Sequence, residues 1–333
     1  MYQKLGRALA LAAVVCAPLS LAPAAGAVPL QHAAVAKKDY VSLGDSYSVG
    51  QFLPDLVTTD DYCGQSTSSY PRQLARDPQF SAVYDHVRDV TCGGATIDNN
   101  FGGVLRPQTG FGGPPVPVPD DAPEKPAQIE ALNTDTDLVT VGIGANTYLI
   151  SEVGLDCARR GALAWGQGTP CTDHYRTDGL SDLRQRTERL QQQFDEMMPR
   201  LHERAPHATF VFVGYPTIFP ADGSHCQFGN PFQGATLAPG DMAFLARQMD
   251  HINHIMKTTV EKYGDTYVDT ATPSRGHDFC RSGSDKWMFG AFGNGVGEND
   301  RPVPTTLFHP NAAGAANQTA QVTQAVKNLG LLD

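Results

Sequence analysis

Features that would place this chain in a membrane or on a nucleic acid are scarce in its sequence. Beyond residue 27 it has no apolar run long enough to cross a bilayer, which argues against stable membrane insertion of that part. Basic residues are outnumbered, with 25 Lys and Arg against 35 Asp and Glu and a formal net charge of −10. This negative balance argues against nucleic acids and anionic membrane surfaces as electrostatic partners. The sequence also has no internal repeat and no C-x-x-C pair, so zinc and redox sites are disfavoured.

Residues 1–27 have the composition of a secretory signal peptide. Lys4 and Arg7 supply a positive start, an apolar run follows, and small residues occupy the end of the segment. We therefore predict cleavage near Ala27, a loose leader over residues 28–38, and a secreted protein. An uncleaved membrane anchor is the alternative.

Six cysteines remain after this segment, and an even number in an exported chain indicates disulfides. Six cysteines allow 15 connectivities. The most economical one joins neighbours along the chain. These pairs are Cys63 with Cys92, Cys157 with Cys171, and Cys226 with Cys280.

Short apolar runs alternate with amphipathic segments along the rest of the chain. Strands are predicted at residues 39–43, 137–143 and 209–213, with a second strand within the alternating residues 83–91 and a short one at residues 266–269. Long helices are predicted at residues 180–205, 242–263 and 312–329. Residues 157–171 and 278–304 are predicted to be irregular. Strands that alternate with helices indicate an α/β fold, with a parallel sheet covered on both faces. A chain of this length can form one domain, which we place at residues 39–333.

The segment from Phe101 to Pro126 is too rich in glycine and proline to form regular structure. A loop of this length inside a domain is often functional. We predict either a wall or flap of a substrate cleft or an ordinary surface loop.

A serine follows the first predicted strand within two residues of its end. The strand stops at Gly44, and Ser46 then lies at the carboxyl end of the sheet, where open α/β sheets bind their ligands. Small residues at Ser48 and Gly50 allow the chain to turn sharply. Taken alone, this stretch is equally typical of an ordinary turn serine.

Three more polar or small residues are predicted to reach the same edge of the sheet. Gly94 and Asn146 also follow predicted strands, and His309 precedes the last predicted helix. A serine hydroxyl needs a base to become a nucleophile, and the His309 imidazole could take its proton. The N–H groups of Ser46 and Gly94 and the Asn146 amide could then stabilise a tetrahedral oxyanion.

Four segments of the chain resemble the SGNH, or GDSL-type, esterases and lipases. Gly44-Asp45-Ser46-Tyr47-Ser48 looks like the first block of that family, and Gly94 lies in a match to the second. Gly144-Ala145-Asn146 resembles the third block and His309-Pro310-Asn311 the fifth. The resemblance implies a flavodoxin-like three-layer α/β/α sandwich. It also implies hydrolysis through an acyl-serine, without a metal or cofactor. The cysteines in consecutive pairs are similar to those of the secreted actinobacterial branch, which includes esterases, lipases and phospholipases.

Two positions depart from the pattern of this family. The third block usually ends in Asp, where this chain has Thr147, and the fifth usually has Asp where this chain has Thr306. Some members of the secreted branch orient the histidine with a main-chain carbonyl, and the carbonyl of Thr306 would be the equivalent group. The resemblance therefore implies a Ser46–His309 dyad.

Other polar residues are predicted to be structural. His251 and His254 lie three residues apart beside Asp250, a spacing that could bind a metal, but a solvated helix face is favoured. Asp45 and Ser48 are predicted to stabilise the turn around Ser46.

The sequence thus predicts a secreted, monomeric serine hydrolase that acts on acyl esters of lipids or small alcohols. The alternatives are an O-acetyl esterase acting on a polysaccharide and a binding protein on a decayed hydrolase fold. The second alternative is raised by Thr147 and Thr306.

Overall fold

The computed structural model of the chain describes residues 37–57, 62–98, 102–108, 124–296 and 302–332. The predicted signal peptide and its cleavage site lie outside these residues, as do residues 28–36 of the predicted leader. Residue 101 and residues 109–123 of the predicted loop also lie outside. From Lys37 onward the chain forms one compact unit.

A sheet of five parallel strands lies at the centre of this unit. The strands are β1 (Lys38–Gly44), β2 (Tyr84–Asp89), β3 (Thr136–Gly142), β4 (Thr209–Val213) and β5 (Thr266–Val268). They pair in the order β2-β1-β3-β4-β5. This is the order of flavodoxin-like doubly wound folds, so the predicted fold class is confirmed. The order reverses between β1 and β3, and ligands of such sheets bind beside the carboxyl ends of the strands at that point.

Helices cover both faces of the sheet. They are α1 (Ser46–Val49), α2 (Tyr70–Arg76), α3 (Pro78–Val83), α4 (Ala145–Tyr148), α5 (Ile150–Leu163), α6 (Pro170–Arg176), α7 (Leu180–Arg204), α8 (Met242–Lys262) and α9 (Ala312–Asn328). Val41 and Val139 point to one face, in the same core cluster as α7 and α8. Their neighbours Tyr40 and Leu138 point to the other face, in the same core cluster as α2 and α9. Because alternate strand residues face opposite sides, the strands β1, β3 and β4 are buried by both helix layers, whereas the edge strand β2 is largely exposed.

Two regions predicted to be irregular contain regular elements in the structure. Residues 157–171 lie largely in α5 and α6, which the Cys157–Cys171 disulfide joins. Gly161 is tolerated within α5 because tertiary packing and the disulfide outweigh a weak local propensity, whereas Gly166 and Gly168 lie between the two helices with positive φ. Within residues 278–304, β6 (Phe292–Val296) pairs with β7 (Pro302–Thr305) as an antiparallel hairpin. The glycines and prolines of this short hairpin interrupt the alternation of apolar and polar residues by which strands are predicted from sequence.

The three predicted disulfides are present. They join Cys63 to Cys92, Cys157 to Cys171, and Cys226 to Cys280. The first of them links the loop before α2 to the segment that follows β2. Within the described residues, no helix combines the length and apolar character needed to cross a bilayer.

Candidate active site

The turn after β1 presents Ser46 at the carboxyl end of the sheet. Asp45 caps α1, because its carboxylate accepts a hydrogen bond from the Tyr47 N–H at 3.0 Å. Its own N–H donates to the Gly142 carbonyl at the end of β3, also at 3.0 Å. Ser46 is the first residue of α1 and is 7% exposed. The turn is thus anchored to the neighbouring strand at the point where the strand order reverses.

Close packing explains the glycine at the end of β1. A Cβ atom at Gly44 would lie 2.3 Å from the Ser48 Oγ and 2.7 Å from the Gly142 carbonyl oxygen. Both distances are far shorter than any real Cβ contact. The Ser48 hydroxyl donates to that same carbonyl at 3.3 Å, so Ser48 supports the turn, as the sequence predicts.

Gly94 lies in a loop that is fixed at several points beside this turn. The N–H of Gly93 donates to the Cys63 carbonyl at 2.9 Å, and the Gln108 side-chain amide donates to the Gly93 carbonyl at 2.9 Å. Gly94 itself has a φ of 73°, which a glycine adopts without steric cost. Its N–H has no hydrogen-bond partner among the described residues. This N–H group is therefore free to bind a ligand.

The Asn146 side chain reaches the loop that contains Gly94. Asn146 lies in α4, directly after β3, and its Nδ2 donates one hydrogen bond to the Ala95 carbonyl at 3.0 Å. The next residue, Thr147, accepts a hydrogen bond from the Ile97 N–H at 2.9 Å. The hydroxyl at this departure from the family pattern thus ties α4 to the Gly94 loop.

A buried tyrosine that the sequence did not single out connects two of these turns. The Tyr215 hydroxyl donates to the Asp45 carboxylate at 2.5 Å and accepts from the Ala145 N–H at 2.9 Å. Burial raises the pKa of Asp45 to about 7, against the opposing effect of the hydrogen bonds from Tyr215 and the Tyr47 N–H. The sequence feature that could have identified Tyr215 as a site residue is its position just after β4.

His309 lies at the end of a β-turn that begins at Thr306. The His309 N–H donates to the Thr306 carbonyl at 3.1 Å, which closes the turn. The central residues Leu307 and Phe308 have φ values of 44° and 63°. Left-handed backbone is unfavourable for side chains with a Cβ atom and is common at functional sites.

Main-chain carbonyls hold one nitrogen of the imidazole. Nδ1 of His309 lies 3.0 Å from the Thr306 carbonyl oxygen and 3.1 Å from that of Leu307. Because a carbonyl can only accept, Nδ1 carries the proton and Nε2 of the neutral ring has a free lone pair. The Thr306 hydroxyl points elsewhere, donating to the Gly290 carbonyl at 3.1 Å.

Two aromatic rings enclose the imidazole. Tyr47 stacks on its face with ring centroids 4.8 Å apart, and Phe52 meets it edge-on at 5.0 Å. Nε2 is buried and has no hydrogen-bond partner among the described residues. Burial lowers the pKa of His309 to about 4, partly offset by the bonds to the Thr306 and Leu307 carbonyls. At neutral pH the ring is thus an uncharged acceptor beside the residue that follows Ser46.

His251 and His254, which are predicted from the sequence to lie on a solvated helix face, are both in α8. In the described part of the chain, no group of three His, Cys, Asp or Glu side chains is arranged to hold a metal ion. His251 hydrogen-bonds through Nε2 to the Thr187 hydroxyl at 3.0 Å.

These residues bring a hydroxyl, a neutral imidazole and unpaired N–H donors to one edge of the sheet. Such a set can carry out acyl transfer, because it combines a nucleophile, a base and donors for an oxyanion.

Comparison with known proteins agrees with this chemistry. Residues 42–316 match the GDSL-like Lipase/Acylhydrolase family. Lipase 2 of Streptomyces coelicolor is 33% identical over 290 residues, which cover 85% of each chain. An esterase of Streptomyces scabiei is 26% identical over 308 residues, covering 87% of this chain and 86% of the esterase.

Solved structures show the same fold. The extracellular lipase of Streptomyces rimosus superposes with a TM-score of 0.60 at 22% identity, over 86% of this chain and 99% of the lipase. Phospholipase A1 of Streptomyces albidoflavus gives a TM-score of 0.58 at 21% identity, over 87% of this chain and 99% of the phospholipase. On its sequence match and its fold, this chain is a carboxylic ester hydrolase that belongs to the GDSL-like lipase/acylhydrolase family.

Proposed function

We propose that the protein is a serine esterase or lipase that hydrolyses acyl esters through an acyl-serine intermediate, with a Ser46–His309 dyad. The observation that carries this proposal is the state of the imidazole. Its Nδ1 is held by the carbonyls of Thr306 and Leu307, which leaves the lone pair of Nε2 directed away from them. Its stacking on Tyr47 keeps it next to the turn that carries Ser46.

The reaction begins when Nε2 of His309 takes the proton of the Ser46 hydroxyl and Oγ attacks the ester carbonyl carbon. The oxyanion of the tetrahedral intermediate is stabilised by the N–H groups of Ser46 and Gly94 and by the Asn146 amide. The imidazolium then protonates the departing alcohol, and the carbon–oxygen bond of the ester breaks. A water molecule, activated by the same imidazole, hydrolyses the acyl-serine and restores the hydroxyl.

A carbonyl in place of a carboxylate changes the energetics of this cycle. It fixes the tautomer and orientation of the ring but offers less charge stabilisation to the imidazolium. Two carbonyls share the Nδ1 proton here, those of Thr306 and Leu307, which partly compensates.

Thr306→Ala is expected to leave kcat/KM within about threefold of the wild-type value, because the main-chain carbonyl remains. Stability should fall by about 1 kcal/mol through loss of the bond from the threonine hydroxyl to Gly290. Steady-state kinetics and thermal unfolding measure the two effects. A loss of activity as large as that of His309→Ala would show instead that the Thr306 side chain orients the ring.

Asn146→Ala is expected to lower kcat by about 10²–10³-fold, equivalent to roughly 2.7–4 kcal/mol of transition-state stabilisation. KM should change little, since the amide donates mainly to the developing oxyanion. Because the substitution also removes the bond to the Ala95 carbonyl, the melting temperature is measured in parallel. A kcat within threefold of wild type in a folded variant would remove Asn146 from the oxyanion site.

The pH dependence of hydrolysis follows from the pKa of His309. Since only the neutral ring accepts a proton, kcat/KM is expected to fall below an acid limb near pH 4, not near 6.5. Between pH 6.5 and pH 4, the His309 imidazole binds a proton more readily in the unfolded chain than in the folded one. Its titration therefore lowers the free energy of unfolding as the pH falls. Circular dichroism at each pH separates unfolding from titration. An acid limb near pH 6.5 in folded protein would contradict a neutral ring with a buried Nε2.

The location and assembly of the protein belong to the same proposal. Three disulfides are consistent with an oxidising compartment, and we propose a secreted monomer with one domain over residues 39–333. N-terminal sequencing of the protein from culture medium tests cleavage near Ala27. Light scattering tests the monomer.

An ester panel graded by acyl-chain length, run on wild type and Ser46→Ala in parallel, tests the proposed function. We expect hydrolysis of acyl esters by wild type and none above background by the variant. Activity on acetylated polysaccharide alone would select the O-acetyl esterase. Folded protein without activity on any ester would select a binding protein.

A further inference from the structure

Tyr47 touches the histidine and the turn that carries it at two separate points. Its hydroxyl donates to the Phe308 carbonyl at 3.0 Å, across 261 residues of sequence. Its ring lies nearly parallel to the His309 imidazole, with an interplanar angle of 28°. The ring also forms a T-shaped contact with Tyr215, with ring centroids 5.1 Å apart. The residue after Ser46 is therefore the direct physical link between the serine turn and the histidine turn.

The histidine turn needs such support because of its backbone conformation. Both of its central residues, Leu307 and Phe308, have positive φ, and neither is a glycine. Conformations of this kind persist only where the surroundings hold them in place. The Phe308 ring packs against Phe279 at 4.8 Å, and its N–H donates to the Gly290 carbonyl. Its carbonyl is held by the Tyr47 hydroxyl.

The same turn supplies the groups that orient the imidazole. The carbonyls bound to Nδ1 belong to Thr306 and Leu307, both within the turn. Here, any loosening of the turn displaces the base and its orienting groups together.

We propose that Tyr47 is the positioning residue for His309: its hydroxyl latches the Thr306–His309 turn, and its ring fixes the plane of the imidazole and excludes water from it. This inference rests on the proposed dyad. The phenol keeps its proton, since burial and the nearby Asp45 carboxyl raise the pKa of Tyr47 well above 10. The hydrogen bond to the Phe308 carbonyl is thus available at every pH at which the enzyme is folded.

Two substitutions separate the hydroxyl from the ring. Tyr47→Phe keeps the stack and removes the latch, whereas Tyr47→Leu removes both. Tyr40→Phe is the matched control, because the Tyr40 hydroxyl makes a buried 2.8 Å bond to the Thr140 hydroxyl in the sheet, in a different core cluster. Each variant is assayed for kcat, KM and the rate of labelling by a fluorophosphonate. The pKa of His309 is measured by NMR of the imidazole in a Ser46→Ala background.

Tyr47→Phe is expected to lower kcat and the labelling rate by about tenfold, with KM within about twofold, because a small misplacement of the base is costly. The pKa of His309 should stay low, since the ring still covers the imidazole. Tyr47→Leu is expected to lower both rates by about 100-fold and to raise the pKa of His309 toward 6.5 as water reaches the ring. Tyr40→Phe should change neither rate nor pKa.

Rates for Tyr47→Phe that match those of Tyr40→Phe would overturn the latch. An unchanged pKa of His309 in Tyr47→Leu would overturn the role of the ring. The NMR titration can be run at low temperature. The pKa of His309 can therefore be measured even if Tyr47→Leu unfolds under the conditions of the kinetic assays. Hydrolysis that survives Ser46→Ala would instead refute the dyad, whatever the Tyr47 variants do.

Discussion

Ser46→Ala is expected to reduce ester hydrolysis by on the order of 10⁴-fold or more. In the proposed mechanism the Ser46 hydroxyl forms the acyl intermediate, and the remaining N–H donors can only bind and polarise the substrate. The variant should fold, because the hydrogen bonds that hold the turn, such as the one from the Gln51 N–H to the Ser46 carbonyl, are made by the backbone, which alanine retains. Hydrolysis of a short p-nitrophenyl ester by wild type and variant measures the effect.

Ser48→Ala is the matched control for this experiment. Ser48 lies in the same short helix, but its hydroxyl donates to the Gly142 carbonyl and serves the packing of the turn. We expect it to retain activity within a few-fold and to lose about 1 kcal/mol of stability. Equal loss of activity in the two variants would show that the turn, and not the Ser46 hydroxyl, is what the reaction needs.

His309→Ala is expected to cost about as much as Ser46→Ala, on the order of 10⁴-fold or more in kcat. Without the imidazole, the proposed mechanism has no base to accept the serine proton. Because the two members of a dyad act as one unit, the double variant should be no less active than either single variant. Steady-state kinetics on the three variants measure this non-additivity.

His254→Ala serves as the control for the histidine. It lies on the exposed part of α8 and should leave kcat unchanged. Multiplicative losses in the Ser46→Ala/His309→Ala variant would mean that the two residues act independently, which the dyad excludes.

Much of the scaffold could be predicted from local sequence pattern. The apolar run that ends at Gly44 gave β1, because a strand buried on both faces has to be apolar along its length. The amphipathic pattern at residues 180–205 gave α7, observed at Leu180–Arg204. The predicted parallel sheet then required Ser46 and Asn146 to meet, since the carboxyl ends of adjacent parallel strands lie at one edge.

Other parts of the site depend on contacts between distant segments, which no local pattern encodes. The bond between Tyr215 and Asp45 joins residues 170 positions apart. The positive φ values of Leu307 and Phe308 arise at residue types that rarely adopt them. The stack of Tyr47 on His309 joins α1 to the turn after β7, and these segments are far apart in the sequence.

The central claim is that a neutral imidazole, held by main-chain carbonyls, activates Ser46. Fluorophosphonate labelling followed by peptide mapping tests it most directly, with wild type and His309→Ala compared at neutral pH. The account predicts a single phosphonyl adduct on Ser46, formed rapidly in wild type and on the order of 10³-fold more slowly without the imidazole. An adduct on another residue, or an equal rate in His309→Ala, would contradict it.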